Sequence, residues 1–113
     1  MGVKIVTDST CDLPAEVIDR YGIGVVPAYV NIGTESYLDG VDLSRAEFYD
    51  NLTHYDPYPT TAAPAAGMFA EVYGQLTAEG ADSIVSIHIS ENLSSIINSA
   101  PLGVDLVESV AVT

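Results

Sequence analysis

The chain is poor in basic residues, in cysteine and in long apolar runs, and each shortage excludes a class of protein. Only Lys4, Arg20 and Arg45 oppose sixteen Asp and Glu residues, so the formal net charge is −13. A field of this sign repels phosphate backbones and anionic lipid surfaces, and we expect no nucleic-acid partner. The acidity is attributed to solubility, with a cationic protein partner as the alternative.

The shortage of cysteine and of long apolar runs bears on the cellular compartment. Cys11 is the single cysteine and cannot form a disulfide within the chain. The N-terminus lacks the long apolar segment of a signal peptide, and no stretch approaches the roughly 18 apolar residues of a membrane span. We therefore expect a cytoplasmic protein without a membrane span.

The patterns of common catalytic and cofactor sites are also missing. Neither a G-x-G-x-x-G pattern nor a P-loop occurs, so the sequence gives no support for a nucleotide site. His54 and His88 stand outside any G-x-S-x-G context, and with Cys11 they are too scattered to form a metal site. His88, which lies between Ile87 and Ile89, is expected to be a packed or hydrogen-bonded histidine inside a strand. An enzyme is the least favoured functional class.

The sequence does contain apolar, β-branched runs that alternate with helical segments. Hydrophobic residues make up 48% of the 113 residues, which suffices for the core of one domain. Strands are predicted at Lys4–Thr7, Gly24–Gly33 and Asp82–Ser90, and Pro27 implies an edge position or a bulge in the second. The alternation predicts an α/β fold with a mostly parallel sheet and flanking helices.

Helix start and stop signals follow the first two strands. Pro14 suits the first turn of one helix, and Gly22 suits its end. The spacing of Ser44 and Glu47 is that of a capping box, which predicts a second helix over Arg45–Leu52.

Two more helices are predicted in the second half of the chain. One lies within Pro64–Gly80, where apolar residues recur at helical spacing. The other starts around Ser94, with apolar residues from Leu93 to Val107 near a period of 3.6. Pro101 is expected to kink or interrupt it.

Three segments are predicted to be irregular or incomplete. Thr34–Gly40 is turn-like, and His54–Pro64 is expected to be a loop because it contains three prolines. Ser109–Thr113 has the character of a strand that has only begun. We therefore expect a fragment or a truncated protein.

Hydroxyl-bearing segments lie at or near the expected carboxyl ends of strands: Thr7–Thr10, Thr60–Thr61 and Ser90–Ser95. Ligands of open α/β sheets bind at this edge. The last segment also lies at a predicted helix N-terminus, where free backbone N–H groups favour an anion. A carboxylate or phosphate could therefore bind without Lys or Arg. The simpler alternative is that Ser94 is a helix cap and Thr61 a turn residue.

Five segments stand in the order in which similar segments occur in the DegV family, and they are spread over nearly the whole chain, from Val3 to Ala100. They are VKIVTDSTCDLP (Val3–Pro14), YGIGVVPAYV (Tyr21–Val30), YLDGVDLSRAEFYDNL (Tyr37–Leu52), PTTAAPAAGMFAEVYGQL (Pro59–Leu76) and IVSIHISENLSSIINSA (Ile84–Ala100). The chain therefore resembles a fatty-acid-binding protein of that family. The resemblance implies a fold of two α/β lobes, of which residues 1–113 would be the N-terminal one, cut before the second.

The resemblance also implies a function and a site. Members of the family hold a long-chain fatty acid between the lobes and present its carboxylate to a separate fatty-acid kinase, without catalysis or cofactor of their own. By motif, the carboxylate-binding hydroxyls correspond to Thr61 and Ser94. Accessory or cavity-lining positions are expected at Ser9, Ser95, Ile89, Leu93, Ile96 and Phe69. The alternative is a structural or interaction domain that dimerises through the surface the second lobe would cover.

Overall fold

Two β-sheets organise the chain in the computed structural model, which describes residues 2–106 and 111–113. The larger sheet is parallel and contains β1 (Val3–Asp8), β2 (Gly24–Val26), β6 (Ser83–Ser86) and β7 (Ala111–Val112), in the order β2-β1-β6-β7. The smaller sheet is antiparallel and contains β3 (Tyr29–Ile32), β4 (Glu35–Leu38) and β5 (Thr60–Ala62), in the order β4-β3-β5.

Four α-helices occur in the described part of the chain: α1 (Ala15–Tyr21), α2 (Arg45–Asn51), α3 (Ala66–Ala78) and α4 (Ile96–Val104). The predicted α/β class, with a parallel sheet and flanking helices, is therefore confirmed. A helix needs about 20 residues to cross a bilayer. None of these described helices combines that length with sufficient apolar character.

The hydrophobic core lies between the parallel sheet and the helices α3 and α4. Val6 and Ile84, on the two inner strands, are 0% and 1% exposed. Phe69 and Tyr73 lie one turn apart on α3 and are fully buried against them. Helix α4 approaches α3 so closely that a Cβ atom added at Gly103 would lie 2.6 Å from the Cβ of Phe69. The side-chain-free backbone of Gly103 therefore permits this packing.

Local start and stop signals act as expected. Gly22 ends α1 in the left-handed conformation with φ +60°, which glycine adopts without steric cost. Ser44 caps α2: its Oγ accepts from the Glu47 N–H at 3.1 Å and donates to Glu47 Oε1 at 3.0 Å. Pro14 differs slightly from expectation, since it is the N-cap of α1 rather than part of its first turn.

The predicted second strand, Gly24–Gly33, is divided at Pro27. Its first part forms β2 at the edge of the parallel sheet, as the proline implied, whereas its second part forms β3 in the other sheet. The prediction that Thr34–Gly40 is turn-like was wrong over most of its length, because it contains β4. The predicted loop His54–Pro64 likewise contains β5. Both strands form because they pair with β3, and the local amino-acid composition does not predict that pairing.

The second half of the chain also departs from expectation in two places. Strand β6 ends at Ser86, so His88 lies beyond the strand rather than inside it. Helix α4 continues through Pro101 to Val104, so the proline does not interrupt it. Of the expected final strand, Ala111–Val112 pairs with β6 as β7. Ser109 and Val110, and the predicted helical position Val107, lie outside the described residues.

Candidate functional site

A cavity of about 370 Å³ lies where the antiparallel sheet faces the segment that leads into α4. One wall comes from β3, β5 and their neighbours, and the other from the residues before α4. The lining residues are Thr10, Ala28, Tyr29, Val30, Asp39, Thr61, Ala62, Ala63, Ile89, Leu93, Ser94, Ser95 and Ile96. The cavity therefore combines hydroxyl groups with aliphatic side chains.

Thr61 reaches this cavity from the middle of β5. It lies directly opposite Val30 in the antiparallel register, and directly opposed residues project from the same face of a sheet. Both residues line the cavity, while Thr60, one position earlier, does not. Thr61 is thus fixed by strand pairing and not by the turn that the sequence alone suggested.

Ser94 reaches the same cavity from the segment before α4. Its Oγ accepts a hydrogen bond from the Ile96 N–H at 3.2 Å, and its own N–H donates to the Ser90 carbonyl at 3.1 Å. A hydroxyl oxygen that accepts in this way keeps its O–H hydrogen available as a donor. Ser94 therefore supports the start of α4 and can also donate to a ligand.

The other predicted site residues fall into two groups. Ser95, Ile89, Leu93 and Ile96 line the same cavity as Thr61 and Ser94. Phe69 does not, because its side chain is fully buried in the core, with its ring edge-on to His88 at 5.3 Å between centroids. Ser9 is buried and its Oγ accepts from the Ala28 N–H at 3.0 Å; it lines a smaller adjoining cavity instead of this one.

A smaller cavity of about 260 Å³ adjoins the first and shares four of its lining residues, including Thr10 and Thr61. It contains Arg45, whose guanidinium forms an ion pair with Asp12 and donates to the Ser9 carbonyl at 2.8 Å. Arg45 thereby ties α2 to the turn after β1. The sequence does not identify Arg45 as a cavity residue, since no local pattern indicates which turn a helix will face.

Thr10 and Asp39 also line the main cavity without having been selected from the sequence. Thr10 belongs to a hydroxyl-bearing segment that was recognised only as a group. Asp39 follows β4, a strand that local composition did not predict. The sequence around Thr10 and Asp39 therefore gives little indication that these two residues line a cavity.

A buried hydrogen-bond network begins at Asp8, directly behind the cavity wall. The N–H of Thr10, at 2.9 Å, and its hydroxyl both donate to Asp8 Oδ1. His88 Nδ1 lies 2.5 Å from Asp8 Oδ2, and the two side chains are 1% and 0% exposed. The network continues from His88 Nε2 to Ser86 Oγ at 2.6 Å, and from there to the Tyr73 hydroxyl at 2.8 Å.

The direction of these hydrogen bonds follows from the charge on Asp8. Burial would raise the pKa of Asp8, but hydrogen bonds from His88 and Thr10 outweigh it and hold the pKa below its ordinary value of 3.8. An ionised Asp8 only accepts, so the His88 Nδ1–H group donates to it. Burial raises the pKa of Tyr73 above 10.0, an effect that its hydrogen bond with Ser86 opposes.

Asp8, His88 and Ser86 are arranged in the order of a hydrolase triad, but the backbone around Ser86 does not suit acyl transfer. The triad mechanism needs donors that stabilise an oxyanion beside the nucleophile. The N–H of Ser86 donates to the Thr113 carbonyl at 2.8 Å, and that of Ile87 donates to the Val6 carbonyl at 2.8 Å. Both neighbouring donors are therefore engaged in sheet pairing, and the network is better explained as structural. His88 is hydrogen-bonded at both ring nitrogens, as its position in the sequence indicated.

Metal-ligating side chains are dispersed in the part of the chain that the structure describes. No group of three His, Cys, Asp or Glu side chains among those residues lies close enough to hold a metal ion. Cys11 is partly buried and lines a different cavity, beside Leu13 and Ile18. The candidate site is thus a polar and aliphatic cavity without metal ligands grouped around it.

Comparison with known proteins relates this arrangement to one family. Residues 2–113 match the family model described as an uncharacterised protein of the DegV family. A DegV domain-containing protein of Clostridium perfringens is 43% identical over 107 residues, which are 95% of this chain and 38% of that protein. One of Halalkalibacterium halodurans is 40% identical, covering 97% of this chain and 39% of that protein. This chain therefore spans about 40% of the length of these relatives.

Solved structures agree with the sequence comparison. A DegV family protein of Thermus thermophilus, described by its fatty-acid binding, is 37% identical with a TM-score of 0.82, over 100% of this chain and 40% of that one. A protein of Eubacterium ventriosum described as binding stearic acid is 30% identical with a TM-score of 0.87. The match covers 98% of this chain and 40% of that protein. DegV of Bacillus subtilis, described as a fatty-acid-binding protein, is 29% identical with a TM-score of 0.90. The match covers 100% of this chain and 40% of that protein.

Proposed function

Because this chain belongs to the DegV family, we propose that it binds a long-chain fatty acid and holds the ligand's carboxylate with Thr61 and Ser94. One observation carries the proposal: these two hydroxyl-bearing residues, from separate elements, line one cavity together with aliphatic side chains. The relatives described as fatty-acid binding, at 37% and 30% identity, support it.

The chemistry of the cavity suits an anionic head joined to an apolar tail. A carboxylate needs a few fixed donors, and each hydrogen bond to a charged group contributes roughly 1.5–3 kcal/mol. Thr61 and Ser94 supply hydroxyl donors, and Ile89, Leu93 and Ile96 supply an apolar wall. Leu93 is 79% exposed, so an acyl tail that packs against it would face solvent on its other side. Further protein would have to cover that side of the tail.

The proposed role belongs to a two-lobe protein. Residues 1–113 would form the N-terminal lobe, since the chain spans about 40% of its relatives. A second lobe would enclose the acyl tail, and the complete protein would present the carboxylate to a separate fatty-acid kinase without catalysing a reaction itself. The single cysteine, Cys11, is in keeping with a cytoplasmic protein.

A non-binding interaction lobe is the second candidate, supported by exposed aliphatic residues near the end of α4. Leu102 and Leu106 are 59% and 64% exposed. Such residues would favour dimerisation of the lobe in place of ligand binding.

Extraction of the purified full-length protein into organic solvent, followed by mass spectrometry, tests the first function against the second. We expect one equivalent of a long-chain fatty acid per protein. Titration of the delipidated protein with a fatty acid and with its methyl ester should then show clear preference for the acid, because only the acid carries the charge that the hydroxyls recognise. Absence of bound lipid, together with no binding on titration, would refute the proposal.

A further inference from the structure

Thr10 and the segment that begins at Ile89 line the candidate cavity from distant parts of the chain, and the buried carboxylate of Asp8 links them. The Thr7 hydroxyl adds a second link, because it donates to the Ile87 carbonyl at 2.9 Å. On one side, Thr10 lines the cavity and is held at Asp8 Oδ1 through both its N–H and its hydroxyl. On the other side, His88 is held at Asp8 Oδ2 by a 2.5 Å contact. His88 is followed at once by Ile89, the first residue of the opposite wall.

Asp8 and His88 do not themselves line this cavity. Both side chains are almost completely buried, so their effect on a ligand in this cavity passes through the residues they hold. His88 also lines a separate cavity of about 390 Å³ with Ser86 and Tyr73. His88 is anchored in turn by Ser86 at 2.6 Å, and its ring stands edge-on to Phe69 in the core. The segment from Ile89 to Ser94 therefore follows directly after His88, whose side chain is held by its contacts with Asp8, Ser86 and Phe69.

We propose that Asp8 and His88 are positioning residues of the carboxylate site, which set the Ser94 segment against the Thr10 and Thr61 wall. The inference rests on the proposed fatty-acid binding and assigns the geometry of that site to a buried pair outside it. Hydroxyl donors distinguish a carboxylate from an ester only when they converge on it. Displacement by about 1 Å is enough to lose such directional contacts. The pair would thus determine head-group selectivity more than affinity for the apolar tail.

The physical basis is the rigidity of a buried, fully hydrogen-bonded network. An ionised carboxylate in the protein interior must keep its partners, because an unpaired buried charge is strongly unfavourable. Asp8 therefore cannot release Thr10 or His88 without a large cost, and the two walls stay in register. Surface loops with only solvent-exposed contacts lack such a restraint.

The test uses variants of the full-length protein that remove the pair without leaving a buried charge. The double variant Asp8→Leu/His88→Phe replaces both partners with apolar groups, which often preserves stability. Tyr73→Phe is the matched control, because it removes a 2.8 Å hydrogen bond of the same network that involves neither Asp8 nor a residue lining the candidate cavity. Affinities for a C18 fatty acid and for its methyl ester, and thermal stability, are measured for each protein.

We expect the double variant to bind the acid at least tenfold more weakly while its affinity for the methyl ester changes little. Tyr73→Phe should retain the acid-over-ester preference even where its Tm falls. His88→Asn, whose amide nitrogen can take the place of Nδ1 and donate to Asp8, should retain more of that preference than the double variant does. Equal loss of both affinities, or an unchanged preference in a folded double variant, would overturn the inference and leave fatty-acid binding intact. Failure of the unaltered protein to bind the acid would overturn both.

Discussion

The carboxylate of Asp8 and the imidazole of His88 meet at 2.5 Å although the two residues stand 80 positions apart in the chain. Strands β1 and β6 explain the meeting. Val6 is paired with Ser86 in parallel register, so Asp8 and His88 each lie two residues further on in the same direction. The contact is therefore a direct consequence of strand register.

This contact makes the stability of the protein depend on pH in the acid range. The pKa of Asp8 is lowered in the folded state, so its contribution to stability is complete above 3.8 and is lost as the pH falls through the folded pKa. The free energy of unfolding of the wild type should exceed that of Asp8→Asn at neutral pH, and the difference should shrink below pH 3.8. Urea unfolding at a series of pH values measures it. Asp50→Asn makes the same change of side chain at an exposed position on α2, and it serves as the control.

Replacement of Tyr73 by Phe should destabilise the fold modestly. The change keeps the buried ring and removes the hydroxyl that is hydrogen-bonded to Ser86 at 2.8 Å. Loss of one such bond costs about 1 kcal/mol, measurable by denaturant unfolding. Tyr58→Phe serves as comparison because Tyr58 is 77% exposed, and it should lie within about 0.5 kcal/mol of the wild type. Equal effects of the two changes would contradict the importance of the buried network.

Gly103→Ala should be clearly destabilising, because the added Cβ would lie 2.6 Å from the Cβ of Phe69 and 3.0 Å from the carbonyl oxygen of Ala66. Overpacking of this kind typically costs about 1–3 kcal/mol. Gly74→Ala is a matched control on α3, where an added Cβ meets nothing within 4 Å. It should stabilise the protein by about 0.5–1 kcal/mol, since alanine is the better helix former. Thermal unfolding of the two variants should therefore shift in opposite directions.

Removal of either cavity hydroxyl should weaken fatty-acid binding. Thr61→Val keeps the shape of the side chain and Ser94→Ala removes a single oxygen, and each should reduce affinity in the full-length protein by about tenfold or more. Thr60→Val, on the same strand but outside the cavity lining, is the control for Thr61. Ser90→Ala is the control for Ser94, because Ser90 Oγ also accepts a local N–H, at 3.2 Å from Asn92, outside the lining. Titration calorimetry compares all four, and equal effects of targets and controls would refute the assignment.

The chain of residues 1–113 by itself is expected to self-associate at high concentration. Leu93, Leu102 and Leu106 are at least 59% exposed, and apolar surface that a second lobe would cover favours contact between copies. Sedimentation should show a species larger than the monomer. The charge added by Leu102→Glu should reduce association without altering the lining of the candidate cavity. A concentration-independent monomer of the unaltered chain would contradict the expectation.

Signals within a few residues of each other allowed much of this protein to be predicted from its sequence. The Ser44 cap depends on Glu47 three positions away, and the end of α1 depends on Gly22, so both were readable directly. The α/β class followed from alternating apolar periods, and the family followed from the order of five segments. The selection of Thr61 and Ser94 rested on that resemblance, because hydroxyl groups alone also suit caps and turns.

Only tertiary structure decided which segments meet. Pro27 separates two strands that join different sheets, β4 and β5 are ordered by pairing with β3, and Phe69 packs into the core instead of the cavity. The Asp8–His88 pair depends on the register of β1 against β6. Such relationships are set by long-range pairing and by the burial of side chains from distant segments. A local pattern determines a residue's own backbone preference, but the neighbour across a sheet or behind a cavity wall is determined by the fold.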